Sequence, residues 1–91
     1  MFIKKGRYGD IEHFKDRECT IMHNEDGPAR ILNAGSSPWA REWWVNGKRH
    51  RMDGPAVIWQ SGNKEYWVNG VYLCKIWGSK GALIIELNPL P

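Results

Sequence analysis

The stretch Glu42-Trp43-Trp44-Val45-Asn46-Gly47-Lys48-Arg49-His50-Arg51-Met52-Asp53-Gly54-Pro55-Ala56 contains two turn signals and the extended run that precedes them. Asn-Gly after an aromatic and β-branched run is the strongest short-range hairpin signal, because both residues accept the positive φ of a type I′ turn. Asp-Gly-Pro supplies a side-chain acceptor, a permissive hinge and a fixed φ, which together re-aim the chain into a new strand.

Both signals occur twice. His23-Asn24-Glu25-Asp26-Gly27-Pro28-Ala29 matches His50-Arg51-Met52-Asp53-Gly54-Pro55-Ala56, 27 residues on. Glu42-Trp43-Trp44-Val45-Asn46-Gly47 matches Glu65-Tyr66-Trp67-Val68-Asn69-Gly70, 23 residues on. The first copy therefore carries four extra residues after Gly35, within Ser36-Ser37-Pro38-Trp39-Ala40. Insertions concentrate at loop tips, so Trp39 is expected on a protruding turn. A worn half-copy precedes them: Gly9-Asp10-Ile11-Glu12-His13-Phe14-Lys15-Asp16 aligns with Gly62-Asn63-Lys64-Glu65-Tyr66-Trp67-Val68-Asn69.

The organisation read from this is one domain, residues 1–91. It divides into a degenerate half-repeat (9–22), repeat one (23–47), repeat two (50–70) and a C-terminal cap (71–91). Repeat arrays need atypical ends to close their edges, and both ends fit that role. The fold class is all-β: an antiparallel β-meander of roughly six to eight strands, built from two hairpin repeats with capping ends. Helical periodicity is absent, although Ala82 to Leu87 fits either a short helix or a last strand.

Strand alternation assigns faces. Glu42 and Trp44 share one face with Glu65 and Trp67, and Phe14 joins that column. Arg41, Trp43 and Val45 share the other with Lys64, Tyr66 and Val68, and His13 joins it. The more uniformly apolar column, Phe14, Trp44 and Trp67, is expected to be core, leaving Trp43 and Tyr66 partly exposed.

Ninety-one residues with 42% apolar and 25% charged residues describe an ordinary small folded domain. Six tryptophans and ten glycines suit a turn-rich fold with large apolar payloads. Thirteen Lys and Arg against ten Asp and Glu leave a net charge of +3, which permits a nucleic-acid partner without demanding one. Met1-Phe2-Ile3 runs at once into Lys4-Lys5, and no long apolar run follows, so a cytoplasmic, non-membrane protein is expected. Cys19 and Cys74 are read as reduced thiols, with a single bridge as the alternative.

The pattern read from Glu42 to Ala56 resembles short repeats in small proteins of bacteriophages and large DNA viruses. It is also similar, more distantly, to the MORN repeat, a β-hairpin unit with an aromatic, a Gly turn and Lys-x-His-Gly. The resemblance covers residues 9–72. It implies an open β-meander and protein binding, and a phage origin would imply an accessory protein that binds and inhibits a host or defence protein. Asp-Gly-Pro-Ala stands where MORN repeats have alternating glycines, so their lipid binding does not carry over.

His23/Asp26 and His50/Asp53 have metal-ligand or acid–base residue types. A turn is needed in every repeat and an active site only once, so recurrence favours a structural role: Asp capping the turn, His packing on, or bonding to, the neighbouring repeat. No nucleophile elbow, phosphate loop or completed metal set is present, and the chain is expected to be non-enzymatic, without cofactor or metal. Partner binding is assigned to Trp39, Arg41, Trp43, Arg49, Lys64 and Tyr66, since Trp, Tyr and Arg most often anchor interfaces. The expected partner is a protein, with a homodimer possible through a second apolar face. The alternative is single-stranded nucleic acid, held by cations among aromatic platforms.

Overall fold

The computed structural model describes residues 1–78 and the backbone of residues 79 and 82–87. Its strands are β1 (Phe2–Lys5), β2 (Ile11–Phe14), β3 (Arg30–Leu32), β4 (Ala40–Glu42), β5 (Trp44–Val45), β6 (Lys48–Arg49), β7 (Val57–Trp59), β8 (Lys64–Val68), β9 (Val71–Ser79) and β10 (Ala82–Leu87). Eight form one antiparallel sheet in the order β1-β2-β3-β4-β7-β8-β9-β10, while β5 and β6 pair as a separate hairpin. The chain is an all-β meander, and residues 82–87 are strand. Among the described residues no helix is long and apolar enough to cross a membrane.

There are ten strands rather than six to eight, in part because the chain of repeat one turns a corner at Trp43, where repeat two keeps one strand, β8, with a bulge between Tyr66 and Trp67. Trp43 separates β4 from β5: its amide donates to the Ala56 carbonyl (2.7 Å), and its carbonyl accepts from the His50 amide (3.0 Å). Residues 40–42 thus stay in the main sheet while 44–49 fold back on themselves. His13 makes the same corner, donating to Ala29 (2.7 Å) and accepting from His23 (3.0 Å), so the half-copy follows the path of the full repeats.

The Asn-Gly turns have the required left-handed backbone, with φ of 51° and 77° at Asn46 and Gly47 and of 49° and 78° at Asn69 and Gly70. Each turn docks on the hairpin before it, Gly47 N–H donating to Met22 (2.9 Å) and Gly70 N–H to Arg49 (2.8 Å). The first hairpin has no Asn-Gly and uses a longer loop in which the Asp16 carboxylate accepts from the amides of Thr20 and Ile21 and from the Thr20 hydroxyl.

The Asp-Gly-Pro-Ala loops end on Ala29 and Ala56, both fully buried, where the amide donates to Glu42 or Glu65 of the next strand (2.8 Å each). A larger side chain has no room there. Bracing of these loops differs from the sequence expectation. The Asp26 and Asp53 side chains stay exposed, and the residue after each His does the work: Asn24 donates to the Pro28 carbonyl (3.2 Å) and Arg51 to that of Pro55 (3.1 Å).

The core departs further from expectation. Among the described residues the buried apolar side chains are Phe14, Ala29, Ala40, Ala56 and Val57. Trp44 and Trp67 are only half-buried, and each indole N–H donates to the glutamate two residues back, Glu42 (2.9 Å) or Glu65 (2.8 Å). The physical reason is that one sheet has no second layer to press on its faces. Large rings then lie along the sheet and share their polar edge with a neighbour rather than entering a dry interior.

Candidate binding face

The two faces of the main sheet carry different chemistry, and the register makes this explicit. Directly paired residues on antiparallel strands point to the same side. On one side a row crosses the sheet as Lys4, Glu12, Arg30, Glu42, Val57, Glu65 and Lys75. From Glu12 onwards the charges of this row are paired: Arg30 reaches Glu12 (3.5 Å) and Glu42 (3.4 Å), Arg49 reaches Glu42 (3.5 Å), and Lys75 reaches Glu65 (3.8 Å). Glu42 is only 5% exposed, a charge tolerated because two guanidinium groups and an indole N–H face it. The aromatic rings here hold the cations. The Arg49 guanidinium lies 5.3 Å from the Trp44 ring and 5.1 Å from that of Trp67, and the Lys75 ammonium lies 3.7 Å from Trp77 and 5.0 Å from Trp59.

One residue along each strand, the opposite side carries the row Lys5, Ile11, Ile31, Arg41, Ile58, Lys64 and Ile76. Its isoleucines are half-buried and its cations exposed. Among the described residues no carboxylate lies within ion-pair distance of Lys5, Arg41 or Lys64. Arg41 stacks over the Trp39 ring at 4.7 Å. Two residues from this row towards the hairpins come Trp43 and Tyr66, both half-buried.

Beyond Trp43 a groove of about 490 Å³ opens between the two Asp-Gly-Pro loops. Trp43 and Val45 line it beside His50 and Arg51, with Glu25, Asp26 and Asp53 on its rim. Arg51 covers the Trp43 ring at 4.0 Å and pairs with Asp53 (3.2 Å). The face is therefore polarised, basic and apolar across the strands and acidic at the loops.

Five of the six residues singled out from sequence, Trp39, Arg41, Trp43, Lys64 and Tyr66, lie on this face. Arg49 does not: it sits on the opposite side between Trp44 and Trp67, its charge already satisfied by Glu42. Trp39 also departs from expectation. It is half-buried, not at a tip, because the Gln60 carboxamide accepts its amide (3.0 Å) and draws the inserted loop onto the next repeat. The exposed tip is residues 35–38.

The imidazoles of the two His-x-x-Asp motifs have one bond each to the neighbouring turn: the Nδ1 atoms of His23 and His50 accept the amides of Asn46 and Asn69 (2.9 Å each). Among the described residues no group of three His, Cys, Asp or Glu side chains is placed to hold a metal ion, and Cys19 and Cys74 are free thiols. Sequence reasoning missed the isoleucine row and the buried glutamate. The signal for the second was present, a Glu two residues before Phe14, Trp44 and Trp67 alike.

Comparisons of the chain with family models, with curated proteins and with solved structures give no match.

Proposed function

We propose that this chain is a non-enzymatic binding module that takes a protein partner on the face carrying Trp39, Arg41, Trp43, Lys64 and Tyr66. The observation that supports it is a contrast in charge between the two sides of one sheet: on one, Glu12, Arg30, Glu42, Glu65 and Lys75 lie in ion pairs, while on the other Arg41 and Lys64 have no carboxylate within ion-pair distance among the described residues and stand among half-buried isoleucines. Trp, Tyr and Arg half-sunk in such a face are the side chains that anchor interfaces. The resemblance of residues 42–56 to repeats of phage proteins extends the reading to an accessory role, binding and inhibiting a host or defence protein in the host cytoplasm.

A second reading, single-stranded nucleic acid, is supported by Arg41 and Lys64 lying beside Trp39 and Tyr66. It is opposed by Glu25, Asp26 and Asp53, which a polyanion running past Trp43 would meet.

The test is affinity capture from the host with the wild type, with Trp43→Ala/Tyr66→Ala, and with Trp77→Ala on the opposite face. Capture of one protein, weakened at least tenfold in the double variant and kept by Trp77→Ala, supports the reading, since an interface anchor contributes about 2 kcal/mol or more. A partner retained by the double variant and lost in Trp77→Ala places the interface on the other side. A second copy of this chain as the captured protein makes the module a homodimer.

A further inference from the structure

We infer that the partner surface recognised by this face is acidic and apolar: a protein segment presenting carboxylates on either side of aliphatic side chains, lying across the strands along the Arg41 and Lys64 row. The inference rests on the binding-face reading above and adds the chemistry of the partner.

The argument is one of charge complementarity. Every strand of the sheet from β1 to β9 contributes one residue to each transverse row, and the two rows have opposite design. In the Glu12 and Glu42 row, Arg30 and Lys75 each have a glutamate within ion-pair distance, and only Lys4 on the first strand is without one among the described residues. In the adjacent row the positions opposite Arg41 are Ile31 and Ile58, and those opposite Lys64 are Ile58 and Ile76. Among the described residues neither cation has a carboxylate partner, although Arg41 stacks on Trp39, and closing an apolar surface over them would strand the charge. A covering surface must therefore bring carboxylates to Arg41 and Lys64 and aliphatic groups to the isoleucines between them.

Spacing narrows the partner further. Arg41 and Lys64 stand two strands apart, roughly 9–10 Å at the usual interstrand distance, with Ile58 between them. Two carboxylates two turns apart on an α-helix are separated by roughly 10.5 Å, with aliphatic side chains of the intervening turn on the same side. An acidic amphipathic helix matches this row in charge and in step.

The same face argues against nucleic acid. A polynucleotide has anionic charge at every step and no aliphatic side chains, so it satisfies Arg41 and Lys64, leaves the isoleucines uncovered, and is repelled at the Glu25, Asp26 and Asp53 rim. A protein segment can change its charge along its length.

The experiment measures fluorescence anisotropy of three labelled probes titrated with the full chain. The first is a synthetic helical peptide with glutamates seven residues apart and leucines between. The second is the same peptide with glutamine for glutamate, and the third is oligothymidine. The chain is used as wild type, as Arg41→Glu/Lys64→Glu, as Lys64→Glu alone, as Trp43→Ala/Tyr66→Ala, and as Lys4→Glu on the opposite face. Lys64 has no ion-pair partner to lose among the described residues, so its single variant keeps the test readable if the double variant fails to fold.

The expected result is saturable binding of the glutamate peptide at low salt. It should be at least tenfold weaker for the glutamine peptide, at least fivefold weaker for Lys64→Glu, and within twofold of wild type for Lys4→Glu. Equal binding of both peptides, each lost in Trp43→Ala/Tyr66→Ala, overturns the acidic partner while keeping the face. Tighter binding of oligothymidine, lost in Lys64→Glu, overturns it in favour of nucleic acid. Failure of the glutamate peptide to bind also overturns it, and the capture experiment then judges the face by itself.

Discussion

The Nδ1 atom of His23 accepts the backbone amide of Asn46 at 2.9 Å, and that bond ties the start of one repeat to the hairpin turn that closes it. His50 and Asn69 repeat it at the same distance. A histidine imidazole offers an acceptor only on a nitrogen that carries no proton, which at Nδ1 is a lone pair aimed at the amide. His23→Asn places a carboxamide oxygen near the Nδ1 position and should hold the turn. His23→Leu should lower stability by about 1 kcal/mol, the net worth of one hydrogen bond, read as a shift of the denaturant midpoint at unchanged slope. Equal midpoints for the Asn and Leu variants would remove the latch.

Gly70 and Gly62 test two separate reasons for glycine. A Cβ at Gly70 would meet Lys48 at an ordinary 3.5 Å, so Gly70→Val is penalised for its φ of +78° alone, about 1–3 kcal/mol. A Cβ at Gly62 would meet the Gly78 carbonyl oxygen at 3.1 Å as well as sitting at φ +97°. Alanine should therefore cost more at Gly62 than at Gly70. Thermal melts of the two alanine variants decide it, and the reverse order would contradict the close approach of the Gly62 turn to Gly78 of β9.

Glu42 should be the most sensitive charged residue. Removing it leaves Arg49 and the Trp44 indole without their acceptor and Arg30 with Glu12 alone. Breaking a buried pair on one side costs about 3–5 kcal/mol, and the roughly one-third exposure of both arginines lets water return some of it. Glu42→Leu should therefore destabilise by about 2–3 kcal/mol. Glu65→Leu should cost less, since its single cation, Lys75, is 3.8 Å away. Urea titrations that rank Glu65 above Glu42 would refute the ladder as described.

Asp16 sets an acid limb. The Thr20 hydroxyl and the amides of Ile21 and Thr20 donate to its carboxylate and hold it below the ordinary 3.8. A depressed carboxyl stabilises the fold above the unfolded value, and that stabilisation is lost as pH falls through the lower, folded value. Asp16→Asn should lower the melting temperature at neutral pH and flatten its fall below about pH 4. A wild-type melting curve insensitive to pH between 5 and 2, with the variant superimposed, would count against it.

The misjudged residues share a cause. Trp44 and Trp67 have the composition of a core column, and alternation placed them on the correct common face. Alternation says which residues share a side and nothing about whether a second layer covers it. Arg49 has the composition of an interface anchor, yet the hairpin β5–β6 delivers it between two indoles of its own chain. Trp39 follows from an insertion, but Gln60, 21 residues away, draws it in.

What the amino-acid sequence by itself determined is what a few consecutive residues can enforce. Asn46-Gly47 and Asn69-Gly70 set their turns through the backbone freedom of two residues, and the period of two parted Trp43 from Trp44. The repeated His, Asp-Gly-Pro-Ala and Trp-Val-Asn-Gly blocks marked an all-β meander in the same way. The tertiary structure alone decided which strand lies opposite which, and at what register. That choice put Glu12, Glu42 and Glu65 in one row with Arg30 and Lys75, and Arg41 and Lys64 in the next row among isoleucines. Charge pairing falls off within a few ångströms, so whether a cation is satisfied depends on neighbours brought by other strands. A register slip of one residue would have exchanged the two faces.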